Sequence, residues 1–327
     1  MTDERAGTTL TRQILSLAAI LLGFLLFWAG IWWLITSRCV DGQSDEMRAK
    51  MIAVSENLPF DPDSRIAHCT TDIQLSGSLP VLDGAAALFP VYSAFVDAVY
   101  PSGCVVYDAD AGDFAADSPL QFRNTVRGFD ALLSGDADVF FSAHPSADQM
   151  AQAEAAGIEL ILTPIGREAF VFLVNEQNPV DNLTVEQLRG LFTGRYRNWK
   201  QVGGADRPVH PIKRIAGSGS QAALEAFLGG EPVYSNPLGF MGGSIGYSFR
   251  WYVTDVVGSG GVKMLSVTGI FPDDASIRDG SYPLTTVFYA MVRADNDNPN
   301  VPRLIEWILS DEGQALIEAS GYSGIGE

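Results

Sequence analysis

The sequence predicts an α/β protein of two lobes joined by two hinge strands and preceded by one transmembrane helix. Three observations predict it. Strand-like and helix-like stretches alternate from Leu79 onward, the pattern of a mainly parallel sheet covered on both faces. Two long apolar segments, Leu160–Val174 (LILTPIGREAFVFLV) and Tyr282–Val292 (YPLTTVFYAMV), bracket a second α/β run, so the chain leaves one lobe and returns to it. Ahead of both, Ile14–Ile35 is an uncharged apolar stretch of the length that spans hydrocarbon.

The span reads ILSLAAILLGFLLFWAGIWWLI, with Trp28, Trp32 and Trp33 toward the end where indoles favour the headgroup interface. A cleaved signal peptide has a shorter apolar core followed by a small-residue cleavage site, whereas this run ends in Thr36-Ser37-Arg38-Cys39. Arg38 directly before Cys39 also argues against a lipid on that cysteine. The expected organisation is a cytoplasmic tail (1–13), an anchor (14–35), a tether (36–77) with a short helix at 45–56, lobe one (78–165 plus 283–327) and lobe two (166–282). Flanking charge is nearly silent on orientation, because Arg5 and Arg12 face Asp3 and Glu4 on one side and Arg38 stands on the other. The extracytoplasmic placement rests on the downstream domain.

Within lobe one, strands are expected at 79–82, 104–107 and 137–141, and helices at 85–100 and 125–134. Lobe two has helices at 184–192 and 219–228 and strands at 209–213 and 246–249; helices at 299–309 and 311–319 follow the return. The chain of 327 residues is 47% hydrophobic and 18% charged, a globular composition with enough length for a sizeable core. Its formal net charge of −18 excludes a nucleic-acid surface, which needs clustered cations. It does not exclude a small anion, because donors in a cleft act at short range and salt screens surface charge beyond about 8–10 Å. Cys39, Cys69 and Cys104 lack metal-ligand spacing; either Cys69 pairs with Cys104 or all three are unpaired.

The most informative stretch is Arg214-Ile-Ala-Gly217-Ser218-Gly219-Ser220-Gln221, which opens the helix AALEAFL. A helix start presents unpaired N–H groups and a dipole that favours negative charge. Ser218 and Ser220 add hydroxyls, and Arg214 adds a guanidinium fork suited to an oxyanion. A plain N-cap is the bland reading of the same residues. Two further helix starts repeat the pattern, Gly84-Ala85-Ala86-Ala87 and Asn124-Thr125. Helix starts that follow strands converge on one sheet edge.

At these residues the chain resembles the periplasmic phosphate-binding proteins of phosphate ABC transporters. The stretch NLTVEQLRGLFTGRYRNWKQVGG, the cradle Arg214 to Ser220, and DGAAALFPVYSAF, SIGYSF and GQALIEASGYSGI carry the resemblance, which covers about 80–327. It implies a type II periplasmic-binding-protein fold and an extracytoplasmic solute-binding protein. Such a protein captures an inorganic oxyanion, phosphate, in an interlobe cleft and delivers it to the transporter's permease, with no cofactor. By this resemblance the ligand set is Arg214, Gly217, Ser218, Gly219, Ser220, Ala85, Ala86 and Thr125. Two departures stand out. The first loop has alanines where the family has hydroxyls, leaving only backbone N–H groups, and Ala143 falls where the family carries an aspartate that accepts the proton of hydrogen phosphate. Asp83 or Asp130 is a candidate replacement, and His144 a candidate donor. These departures motivate an alternative, a membrane-anchored sensory or protein-interaction module on the same fold.

An enzyme is not expected. Gly242-Gly243-Ser244-Ile245-Gly246 fits a serine-nucleophile turn, but no histidine follows it, since the last is His210. His68, His144 and His210 are isolated, and no nucleotide-cradling loop is present.

Overall fold

The computed structural model describes residues 21–30, 52–214, 218–236, 243–257 and 261–325. In chain order the strands are β1 (Leu82–Gly84), β2 (Tyr107–Asp108), β3 (Asp113–Phe114), β4 (Val139–Ala143), β5 (Leu160–Asn175), β6 (Asn182–Leu183), β7 (Val209–Pro211), β8 (Gly243–Phe249), β9 (Val262–Met264), β10 (Ser266–Val267) and β11 (Thr285–Arg293). The helices are α1 (Phe89–Val99), α2 (Asn124–Ser134), α3 (Ala147–Ala155), α4 (Val185–Thr193), α5 (Gly219–Leu228), α6 (Asp274–Arg278), α7 (Asn300–Leu309) and α8 (Asp311–Ala319).

The long strand β5 makes two lobes from one sheet. Residues from Leu160 to Ala169 pair antiparallel with β11, which in turn pairs with β4, and β4 with β1. From Phe170 onward β5 changes partner and pairs with β8 and β9, with β7 beyond β8. The partner change falls where the Phe170 N–H donates to the Leu284 carbonyl. A mainly parallel sheet is therefore not what forms. Among the described residues of this sheet only β1–β4 and β7–β8 are parallel, because the two long crossing strands run antiparallel to each other in its centre; β6 and β10 pair parallel apart from it. Each half has its own core. Phe89, Phe95, Phe141 and Trp307 pack the first, and Phe172, Phe192, Trp199 and Tyr247 pack the second.

Local sequence explains where the elements start. Helix α4 opens with a capping box in which Thr184 and Gln187 satisfy each other's backbone N–H, and α3 opens with the same device from Ser146 and Gln149. Glycines in left-handed backbone end α2 and α4, at Gly135 (φ 85°) and Gly194 (φ 79°). In β1, Gly84 is required by packing, since a Cβ there would lie 2.7 Å from both the Phe141 carbonyl and the Tyr92 ring.

Two expectations change and one open alternative is decided. Cys104–Tyr107 does not join the main sheet; the chain there forms a small hairpin, β2 with β3, and β1 takes β4 as its neighbour. Residues 52–77, expected as part of the tether, lie folded along the first lobe. Ile52, Ile66 and Leu75 are buried in its core, and the Ser93 hydroxyl donates to the Asn57 carbonyl. Cys69 and Cys104 are not bonded to each other. They sit in different surroundings, Cys69 near Asp97 and Glu312 and Cys104 near Tyr100, and burial pushes both thiols up from the ordinary cysteine range.

Of the expected anchor, residues 21–30 are helical and exposed, with Leu21, Phe24, Leu25 and Trp28 all open. The rest of that span, Cys39, and most of the helix expected at 45–56 lie outside the described residues. Among the described residues no helix is long and apolar enough to cross a membrane.

Candidate functional site

Where the two lobes meet, a cavity of about 30 Å³ lies between the amino ends of α2 and α5. Thr125 lines it from α2 and Gly219 from α5; Ala85 and Ala87 line it from the loop after β1, and Ser142 and Ala143 from the end of β4. The two helix starts come close because Gly219 has no side chain. A Cβ there would lie 3.6 Å from Thr125 Oγ1 and 3.9 Å from the Phe249 ring. Two helix amino ends facing one small cavity turn unpaired N–H groups and the positive ends of their dipoles toward it.

The start of α2 is held by a buried ion pair. Asp83 is fully buried at β1, and its carboxylate accepts from the N–H groups of Gly84 (2.8 Å) and Arg123 (3.0 Å) and from the Arg123 guanidinium (3.0 Å). Burial pushes this carboxyl up from the ordinary aspartate range, against the downward pull of those donors. Asp83 thus ties β1 to the residue before α2 and is absent from the cavity wall, which removes it as a replacement acceptor. Asp130 is exposed on α2 and is removed as well. Asn124 begins the helix in left-handed backbone (φ 64°), a conformation asparagine tolerates better than most residues, and Thr125 follows it at the cavity.

Helix α5 starts at Ser218, whose hydroxyl accepts the Gln221 N–H (3.3 Å) and still has a proton to donate. Ser220 is buried in the first turn. The chain before the helix is pinned by Gln221 and Tyr247. The Arg214 N–H lies 3.1 Å from both the Gln221 Oε1 and the Tyr247 hydroxyl, and the Tyr247 hydroxyl donates to Gln221. Burial pushes the Tyr247 phenol up to about 12, so it stays a neutral donor. The Arg214 guanidinium lies 3.4 Å from the Ser248 hydroxyl and 5.7 Å from the centre of the Tyr252 ring.

Of the eight residues expected to bind, the cavity wall therefore holds Ala85, Thr125 and Gly219. Ser218 and Ser220 flank Gly219, Arg214 stands beside them on Ser248 and Tyr252, and Gly217 lies outside the described residues. Ala86 is not on the wall, where Ala87 is found instead. The Ala85 N–H, expected to face an anion, donates to the Phe141 carbonyl (2.8 Å) and so belongs to the sheet edge. His144 does line the cavity; its Nδ1 lies 2.9 Å from the Pro145 carbonyl and its ring meets Tyr289 edge-on.

One cavity residue was not anticipated. Glu168 lines the wall from β5, is 5% exposed, and accepts the Ala169 N–H (2.8 Å) and the Trp251 N–H (3.4 Å) on its two oxygens. The signal was present in the sequence as a charged pair, Arg167 and Glu168, inside an otherwise apolar strand. Beside the cavity a wider groove of about 970 Å³ opens between the lobes, along α5 and the segment from Ala143 to Asp148. Among the described residues no group of His, Cys, Asp and Glu is arranged to hold a metal ion.

The comparisons with known proteins agree with this architecture. A family model described as a PBP superfamily domain matches residues 120–312. The phosphate-binding protein PstS of Bacillus subtilis is 27% identical over 260 residues, covering 76% of this chain and 80% of that protein. PstS of Borreliella burgdorferi is 26% identical over 185 residues, half of this chain and 65% of its own length. Among solved structures, a substrate-binding protein of phosphate ABC transporter type with bound phosphate, from Clostridium perfringens, aligns with a TM-score of 0.55 at 19% identity; it covers 80% of this chain and all of that one. An ABC-type phosphate transport receptor from Vibrio cholerae aligns at 0.52 and 20% identity, covering 74% of this chain and 98% of that one.

Proposed function

Because the chain belongs to the PBP superfamily, and to the periplasmic phosphate-binding proteins within it, we propose that it captures an inorganic oxyanion, phosphate, between its lobes. The observation that carries this reading is the meeting of two helix amino ends, one from each lobe, at a cavity where Gly219 lets them approach. Thr125 and Ser218 supply hydroxyl donors, the first turn of α5 supplies N–H groups, and Ser220 and Arg214 complete the α5 side. Binding from both walls favours a closed arrangement of the lobes, with the strand partner change at Ala169 and Phe170 as the place to bend.

In this reading the protein passes its anion to the permease of an ABC transporter outside the cytoplasm. Ile14–Ile35 holds it at the membrane, a role supported by the length and composition of that stretch. The division proposed is lobe one from 78–165 and 283–327, with 52–77 packed on its core, and lobe two from 166–282, joined by β5 and by the return into β11.

The test is calorimetry with phosphate, sulfate and molybdate. A saturable, one-to-one heat with phosphate is expected. Arg214→Ala is expected to weaken it by about 2–5 kcal/mol through loss of a charged donor, and an unchanged affinity would remove Arg214 from the site.

A further inference from the structure

We infer that Tyr252 is the positioning residue for Arg214, its ring holding the guanidinium beside the start of α5 without neutralising it, a role that rests on the oxyanion reading above. The Arg214 guanidinium lies over the Tyr252 ring, 5.7 Å from its centre, inside the range of about 6 Å over which a cation is drawn to an aromatic face. Its other contact among the described residues is the Ser248 hydroxyl at 3.4 Å. Neither partner is a carboxylate. An arginine that meets an anion faces two opposing demands. Holding its long stem in one rotamer costs conformational entropy. A carboxylate would fix it, but would take N–H donors from the fork and cancel the charge. An aromatic face fixes it through the guanidinium plane, takes no donor and leaves the charge in place. The backbone of the same residue is already held, because its N–H lies 3.1 Å from both the Gln221 Oε1 and the Tyr247 hydroxyl. The ring therefore acts on the part of Arg214 that is otherwise loosest.

The ring is itself fixed. Tyr252 is 8% exposed and, although it follows β8, is buried in the first core together with Trp251. Trp251 stacks on Tyr322 near the end of the chain, with 5.6 Å between ring centres and 15° between planes. The Trp251 N–H donates to Glu168 (3.4 Å), and its carbonyl accepts from the Thr254 hydroxyl (3.0 Å). Arg214, by contrast, leads toward α5, whose Leu224 and Phe227 are packed in the second core. The contact therefore joins the cradle of one lobe to the core of the other, and closing the lobes around a ligand brings the guanidinium onto a rigid surface. Burial pushes the Tyr252 phenol up from the ordinary tyrosine range while the Arg214 charge pulls it back, so the ring stays a neutral partner at physiological pH.

The experiment measures phosphate binding by calorimetry in the wild type, Tyr252→Phe, Tyr252→Leu, Arg214→Ala and the double variant of Tyr252→Leu with Arg214→Ala. Tyr252→Leu is expected to weaken phosphate by about 5–30-fold, the loss of a desolvated cation–π contact. Tyr252→Phe, which keeps the ring face, is expected to recover binding to within about 3-fold of the wild type. In the Arg214→Ala background Tyr252→Leu is expected to change affinity by less than about 2-fold. A role confined to core packing would give the same loss with or without Arg214, and that result overturns the assignment. So does a Tyr252→Phe that binds no better than Tyr252→Leu. Should Arg214→Ala bind too weakly to titrate, the same cycle is read in urea unfolding without ligand; coupling of about 3-fold or more in the unfolding constant is expected, and additive effects overturn the assignment. Should Tyr252→Leu fail to fold, Tyr252→pentafluorophenylalanine keeps the ring's shape and reverses its charge distribution. It is expected to lose binding by the same factor, and affinity equal to that of Tyr252→Phe overturns the assignment. A wild type that binds no phosphate overturns the oxyanion reading itself, and this inference with it.

Discussion

Replacing Asp83 by alanine tests how the α2 side of the cavity is built. The change removes a carboxylate with no exposed surface that accepts three hydrogen bonds, from Gly84 N–H, Arg123 N–H and the Arg123 guanidinium. Two backbone N–H groups lose their acceptor, at about 1–3 kcal/mol each where water cannot replace it. The guanidinium is 27% exposed and regains part of its hydration, so its loss counts for less. The carboxylate's own desolvation is relieved, which offsets some of the total. Breaking a buried pair from one side costs about 3–5 kcal/mol on balance. At about 2.1 cal/mol/K of unfolding entropy per residue, 1 kcal/mol moves Tm by about 1.5 °C in a chain of 327 residues, so Asp83→Ala is expected to lower it by about 4–8 °C. Scanning calorimetry and urea unfolding read the change, and Asp83→Asn, which keeps one acceptor oxygen, should fall between. A variant within about 1 kcal/mol of the wild type would refute the view that this pair holds α2 in place.

Other consequences follow from the same geometry. Since the folded protein holds the Asp83 proton to higher pH than the unfolded chain does, that residue's contribution to stability should fall as pH rises from the ordinary aspartate range through its raised folded value. Asp83→Asn should flatten this slope in unfolding measured across pH. Gly84→Ala places a Cβ 2.7 Å from the Phe141 carbonyl and should cost at least about 1–3 kcal/mol in urea unfolding, as overpacking does. Thr125→Ala removes one hydroxyl donor from the cavity and is expected to weaken phosphate by about 1.5–3 kcal/mol in calorimetry while leaving Tm nearly unchanged. Because Cys69 and Cys104 are free, a reductant should leave Tm unchanged, and a rise or fall of several degrees would contradict that arrangement.

Sequence was most informative where one local rule decides the outcome. Helix α5 begins at Gly219 and ends at Leu228 because Ser218 caps its start and Gly229 adopts left-handed backbone after it, both readable from neighbours. The long strand β5 was legible from its apolar run, and Tyr282–Val292 as the segment that returns beside it; its second set of partners, β8 and β9, was not, because no local pattern marks that pairing. The strap from 52 to 77 was read as tether since Ile52, Ile66 and Leu75 are single apolar residues with no period between them. Helix α3 is marked in the sequence only by the capping-box spacing of Ser146 and Gln149, because its short run ADQMAQAEA carries little apolar period. At the site, the cradle before α5 could be read from consecutive residues. Glu168 and the Asp83–Arg123 pair could not, since each becomes meaningful only when distant strands and a helix start converge.

The central claim is that two helix starts, one from each lobe, bind an oxyanion between them. Titration calorimetry of the wild-type protein with phosphate at neutral pH tests it most directly. The account predicts one saturable site per chain, weakened by Thr125→Ala on the α2 wall and by Arg214→Ala beside the start of α5. No heat from phosphate, sulfate or molybdate at millimolar concentration would contradict it.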